Sequence, residues 1–154
     1  MKYFEDIEEG DVWDLGSRTI GAEEIMAFGR QYDPQPFHTD PEAARKSPLG
    51  ELIASGWHTC AIFMQLLAGY IGAHNYASMG APGIRTCRWL VPVRPGDTLT
   101  GRTTLLGKRP SKSRPYGLIE TRTELFNQKD ERVLLIEGVG LYGLKPTSRE
   151  RAAS

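Results

Sequence analysis

The sequence predicts an α+β domain in which an antiparallel sheet packs on one long, buried helix. Three observations predict it. Residues 56–72 (GWHTCAIFMQLLAGYIG) contain no Asp, Glu, Lys or Arg, and a helix that is apolar on nearly every side is buried on nearly every side. After it come four segments, 84–93, 97–107, 117–127 and 132–144, rich in β-branched and apolar residues. Before it, residues 11–20 (DVWDLGSRTI) alternate loosely, as a further strand would. One helix cannot cover five strands, so the uncovered sheet and its edges predict at least a dimer.

The remaining elements follow from local chemistry. Ala22–Tyr32 has helical spacing, with Ile25, Phe28, Gly29 and Tyr32 on one face. That helix should stop near Tyr32, because Asp33 precedes Pro34 and a residue before proline disfavours helix. DPQPFH (33–38) holds two prolines in six residues and predicts a stiff, irregular loop. Asp40 and Pro41 read as N-cap and first position of a short helix through about Lys46. Pro48 and Gly50 mark a loop, and Gly72 is expected to end the long helix. RPGD (94–97) and NQKDE (127–131) read as hairpin turns, and KRPSKSRPY (108–116) as a longer basic connection. One domain over residues 1–146 and a polar tail over 147–154 complete the expectation.

Composition narrows the function. A chain of 154 residues, 40% hydrophobic and 25% charged, suits one globular domain. Lys plus Arg equal Asp plus Glu at 19 each. A nucleic-acid partner would call for a basic excess or stripe, so a small molecule in a local pocket is expected instead. No run reaches the ~18 apolar residues of a membrane span. The first residues, MKYFEDIEEG, are acidic and lack the apolar core of a signal peptide. Cys60 and Cys87 make neither metal-ligand spacing nor a disulfide framework and read as small buried hydrophobes; a cytoplasmic location is expected. His38, His58 and His74 lack the close spacing of a metal site, so no metal is expected.

Two local signals carry chemistry. Asp33 and His38 put a carboxylate and an imidazole on a proline-stiffened segment at a helix exit. Two such groups can hold one water and pass protons. On spacing alone the plainer account is that Asp33 caps a turn and His38 is an ordinary loop histidine. Ser55-Gly56 stands at the start of the long helix, where the first N–H groups have no internal partner and carry the positive end of the dipole. A ligand oxygen could approach the Gly56 N–H closely, as in an oxyanion hole. The plainer account is that Ser55 caps the helix and Gly56 permits the turn.

The run Tyr32-Asp33-Pro34-Gln35-Pro36-Phe37-His38-Thr39-Asp40-Pro41, with Ala43-Ala44 after it, resembles the MaoC-like dehydratases and (R)-specific enoyl-CoA hydratases. Ile53-Ala54-Ser55-Gly56-Trp57 resembles that family's entry to its central helix, and VPVRPGDTL (91–99) the strand and turn after it. The resemblance runs from about Tyr3 to Tyr142. It implies a hot-dog fold, a sheet wrapped around a long helix; the homodimer or higher homo-oligomer expected above rests on the uncovered sheet and its edges. It further implies that Asp33 and His38 hold the catalytic water and that the Gly56 N–H receives a thioester oxygen. The reaction implied is reversible hydration of a trans-2-enoyl thioester to an (R)-3-hydroxyacyl thioester, carried on coenzyme A or an acyl carrier. No cofactor is implied beyond coenzyme A as part of the substrate.

Two departures stand out. Gln35 occupies a place where the family usually has Asn, and Ala61 stands where some hydratases carry a serine, leaving His58 or Thr59 to supply the missing hydrogen bond. Phe37, Ser55, Trp57 and His58 are expected beside the substrate, and Lys108 and Arg109, with Lys112 and Arg114, near coenzyme A phosphates. Residue by residue, plainer readings compete: a packed His58, Trp57 and Tyr70 in the core, a surface His74 and a solvated basic loop. Two other functions share the same parts, a hot-dog acyl-CoA thioesterase and a non-catalytic acyl-thioester-binding subunit.

Overall fold

The computed structural model describes residues 1–146; the tail expected over 147–154 lies outside the described residues. A short 3-10 turn, Phe4–Asp6, opens the chain. Strand β1 (Val12–Thr19) is followed by α1 (Ala22–Tyr32), α2 (Pro36–Thr39), α3 (Pro41–Arg45) and the long α4 (Gly56–Ala73). Then come β2 (Gly83–Trp89), β3 (Thr98–Pro110), β4 (Tyr116–Phe126) and β5 (Arg132–Gly143). The five strands form one antiparallel sheet in the order β1-β3-β4-β5-β2. The sheet wraps α4, and this is the hot-dog fold.

Inward side chains alternate along the strands, as the period of a half-buried sheet requires. Leu99, Leu125, Val133, Leu134 and Ile136 meet Ile62 and Phe63 of α4 and Ile25 and Met26 of α1 in one core. A second cluster gathers Phe4, Ile7, Trp13, Leu105, Ile119 and Tyr142 at the other end. Trp13 packs there against both Tyr70 and Tyr76, with ring centroids 5.2 and 4.8 Å away.

Several expectations are corrected. The segment 33–38 is not wholly irregular, because Pro36 opens α2 with its φ already set for helix, and His38 rides on that turn. α4 runs to Ala73, past Gly72, and Asn75 takes the left-handed conformation (φ 56°). α4 is not buried on every side, since Trp57, Ala61, Met64, Gln65 and Ala68 are exposed. Their exposure leaves an apolar helix face open in the single chain. The strand expected over 84–93 ends at Trp89, and residues 90–93 leave the sheet. RPGD does turn, with Gly96 at φ 88°, but it does not join a hairpin, because β2 pairs with β5 and not β3. NQKDE does join the β4–β5 hairpin, where the Asn127 side-chain carbonyl accepts from the N–H groups of Lys129 and Glu131. β3 extends through Lys108 and Arg109, which are therefore strand residues rather than loop residues.

Candidate active site

Asp33 is the C-cap of α1, its N–H bonded to the Gly29 carbonyl at 2.9 Å, and Pro34 prevents the helix from continuing. The chain turns at once into α2, which nests against α1. A Cβ at Gly29 would stand 2.5 Å from the His38 carbonyl oxygen, so the glycine is what allows that close approach. The turn brings the His38 Nε2 to 3.3 Å from Asp33 Oδ2. His38 is buried, and its Nδ1 lies 2.8 Å from the Ile53 carbonyl oxygen. A carbonyl can only accept, so Nδ1 carries the proton and donates. In the neutral ring Nε2 then carries the lone pair and stands beside the carboxylate. Two acceptors side by side at a cleft are suited to share the two hydrogens of a water.

Asp33 is itself held at both oxygens. Gln35 Nε2 donates to Oδ1 at 2.8 Å and Ser55 Oγ donates to Oδ2 at 2.7 Å. Burial alone would raise the Asp33 pKa. The hydrogen bonds from Gln35 and Ser55, with the positive charge His38 carries when protonated, outweigh burial and hold it below the ordinary carboxylate value. Gln35, the longer residue in the usual place of Asn, thus reaches the catalytic candidate directly.

Ser55 caps α4, its Oγ also accepting from the Trp57 N–H at 3.2 Å. Gly56 is the first residue of the helix and lines the same cavity as Asp33 and His38, a cleft of about 400 Å³. Among the described residues no acceptor is paired with the Gly56 N–H. The reason for glycine here differs from the expected one. A Cβ would meet the Trp89 indole at 2.7 Å, and that indole N–H donates to the Gly56 carbonyl at 2.7 Å. It is the packing of Trp89 that requires the missing side chain.

The other expected residues divide. Phe37 and Trp57 line the cleft, but Trp57 is 61% exposed rather than in the core and meets Trp89 edge-on. Tyr70 is half-buried against Trp13, and His74 is exposed beside it. Ser55 lies behind the cleft wall, fully buried. His58 turns away from the cleft onto α1, where it stacks on Phe28 and faces Glu24 at 3.3 Å. Neither His58 nor Thr59 hydrogen-bonds the Asp33–His38 pair: His58 turns to Glu24 and Thr59 Oγ1 bonds back to the Ser55 carbonyl, while Ser55 itself donates to Asp33.

Lys108 and Arg109 do not line the cleft; they stand far along β3, nine and ten residues past Leu99. The Lys108 ammonium donates to the Ile7 carbonyl at 2.5 Å and is not free for a phosphate. Cys60 and Cys87 are half-buried free thiols with sulfurs 3.7 Å apart; burial, with Cys87 beside it, pushes the Cys60 thiol up to about 12. No group of three or more His, Cys, Asp or Glu that could hold a metal gathers among the described residues. No helix among the described residues is long and apolar enough to cross a membrane.

Sequence reasoning missed the wall formed by Trp89, Leu90, Val91 and Pro92. Pro92 was the available signal, since a proline argues against a central strand.

Sheet, helix and cleft together define a hot-dog protein with a carboxylate–imidazole pair at the N-terminal end of its central helix. The MaoC like domain matches residues 8–125, and the chain belongs to that family. An uncharacterized Bacillus subtilis protein, YdeM, is 30% identical over 126 residues, covering 80% of this chain and 86% of that one. The (R)-specific enoyl-CoA hydratase of Rhodospirillum rubrum is 32% identical over 117 residues, covering 73% and 75%. The crystal structure of a MaoC-like dehydratase from Rhodospirillum rubrum superposes with a TM-score of 0.86 at 38% identity, covering 96% of this chain and all of that one.

Proposed function

We propose that this protein hydrates and dehydrates a short acyl thioester, converting a trans-2-enoyl form to an (R)-3-hydroxyacyl form and back. One observation carries the reading: the Asp33 carboxylate and the unprotonated nitrogen of His38 face each other at 3.3 Å in the cleft that Gly56 also lines. A water seated beside the pair, within hydrogen-bond reach of both from the cleft, donates to both. The enoyl double bond is conjugated to the thioester carbonyl, so attack at C3 moves charge onto the carbonyl oxygen. The Gly56 N–H, at the positive end of α4, meets that oxygen, and a donor there is typically worth ~3–4 kcal/mol in the transition state. The pair takes one proton from the water and returns one to C2 on the same face. The carrier is coenzyme A or an acyl carrier protein, no further cofactor takes part, and the protein works in the cytoplasm.

The working unit is a homodimer. β2 is a sheet edge, and Ile84 (58% exposed) and Trp89 on it stand exposed, as do Met64 and Trp57 on α4. Pairing two β2 edges would cover this apolar face and close the exposed side of the cleft. Sedimentation at micromolar concentration should give twice the 17.1 kDa chain mass.

A panel of trans-2-enoyl-CoA substrates tests the reaction. Loss of absorbance from the conjugated thioester, without release of free thiol, supports hydration. Thiol release would instead establish a thioesterase, and binding with no turnover would establish an acyl-thioester-binding subunit.

A further inference from the structure

We infer that Ser55 is a positioning residue for the reaction, fixing the Asp33 carboxylate to the first turn of α4 so that the water-binding pair and the Gly56 N–H keep one register. The Ser55 side chain does not line the cleft; it lies fully buried behind the wall. Its hydroxyl has one hydrogen to give and lone pairs to receive with. It receives the Trp57 N–H at 3.2 Å, so the hydrogen goes to Asp33 Oδ2 at 2.7 Å, 22 residues away in sequence. Oδ2 is the same oxygen that faces His38 Nε2. The carboxylate has two oxygens, and Gln35 holds the other from a residue on the Asp33 segment itself. That bond can swing with the segment. The Ser55 bond cannot, because its donor belongs to the helix that presents the Gly56 N–H. Without it Asp33 would remain folded against α1 but would be free to turn about its own side-chain torsions. A productive water geometry tolerates displacements of only about half an ångström.

Capping and positioning are separable by substitution. Glycine is nearly as good an N-cap as serine but gives no hydrogen to Asp33, whereas threonine keeps both functions. Ser55→Gly, Ser55→Ala and Ser55→Thr are compared in the full chain, with circular dichroism and thermal unfolding to confirm folding. The kinetic arm rests on the hydratase reading. Ser55→Gly and Ser55→Ala should each lower kcat for enoyl-CoA hydration roughly 10- to 100-fold with KM changed less than about threefold, and Ser55→Thr should restore most of it. A folded Ser55→Gly protein with wild-type kcat would overturn the inference and leave Ser55 as a cap alone. The second arm does not depend on turnover. Carbon-13 NMR of the Asp33 side-chain carboxyl, assigned with Asp33→Asn, follows its titration. The midpoint should move up in Ser55→Gly and Ser55→Ala and stay near wild type in Ser55→Thr. An unmoved midpoint overturns the inference even if no enoyl thioester proves to be a substrate, and a moved midpoint supports it in that case.

Discussion

Two regions of the molecule carry nearly the same chemical pair and use it differently. His38 and His58 are both buried, and each has its Nε2 3.3 Å from a carboxylate oxygen, of Asp33 and Glu24 respectively. The difference lies in the far nitrogen. His38 Nδ1 donates to the Ile53 carbonyl, so Nε2 is left as the proton acceptor at a cavity wall. His58 Nδ1 is buried with no partner among the described residues, and a carboxylate can only accept, so Nε2 is the nitrogen that carries the proton and donates to Glu24. Glu24 is also tied to Arg18 at 2.6 Å, and Phe28 closes the ring face of His58 at 4.5 Å, nearly parallel. One pair opens a basic nitrogen to a cleft; the other is a clamp between α1, β1 and α4. A carboxylate beside a histidine is therefore not a catalytic pair until the second ring nitrogen and the access to solvent are known.

The comparison breaks most directly at the carboxylates. Asp33→Asn and His38→Ala should lower kcat by about 10²- to 10⁴-fold, the usual contribution of acid–base groups, while Glu24→Gln should leave kcat within about threefold. Steady-state kinetics on an enoyl-CoA substrate measures both. If Glu24→Gln were as damaging as Asp33→Asn, the two pairs would belong to one site.

Stability should sort the same residues the other way. His58→Ala removes a packed ring from beneath Phe28 and leaves a cavity, at a cost of roughly 2–4 kcal/mol, with kcat little changed. Urea unfolding at neutral pH checks this, and a wild-type midpoint would show that the ring contributes no packing. Gly56→Ala lies between the two patterns. Its Cβ would stand 2.7 Å from the Trp89 indole, so the ring must move, at about 1–3 kcal/mol. Because Trp89 forms a wall of the cleft, activity should fall as well. Gly56→Ala combined with Trp89→Ala should recover stability relative to the sum of the single changes.

How legible these features were depends on how far apart the partners lie in sequence. The end of α1, the Asp33–His38 segment and the start of α4 were readable because proline, serine and glycine act on their own neighbours. Five antiparallel strands were readable from composition and alternation, and so was the hot-dog arrangement from the resemblance. The Ser55–Asp33 bond spans 22 residues and the His58–Glu24 contact 34, and no local rule connects them. The apolar run of α4 gave its length but could not say which face the sheet leaves open, since periodicity is blank where every side is apolar. Lys108 read as a loop cation because KRPSKSRP resembles a loop. β4 instead pairs with β3 out to Pro110, and the ammonium turns to the carbonyls of the N-terminal segment.

The smallest effect expected is a pH dependence of stability that belongs to His58. Burial lowers its pKa below the ordinary 6.5; Glu24 pulls upward and Arg18 pushes down, and burial prevails. The folded state therefore binds fewer protons than the unfolded state at pH values between the depressed pKa and about 6.5. Stability must then rise with pH across that window. The contribution is complete above about pH 6.5 and is lost as pH falls toward the folded pKa. Asp33 obeys the same sign, but its window lies below its ordinary value of 3.8, so the two do not overlap. His58→Phe keeps a flat ring against Phe28 and removes the titrating group. Between pH 7.5 and pH 5.5 the urea midpoint should fall further in the wild type than in His58→Phe. The other two histidines are common to both proteins and cancel in the difference. Equal losses in the two would mean that His58 titrates alike in the folded and unfolded chain, and that Glu24 compensates its burial in full.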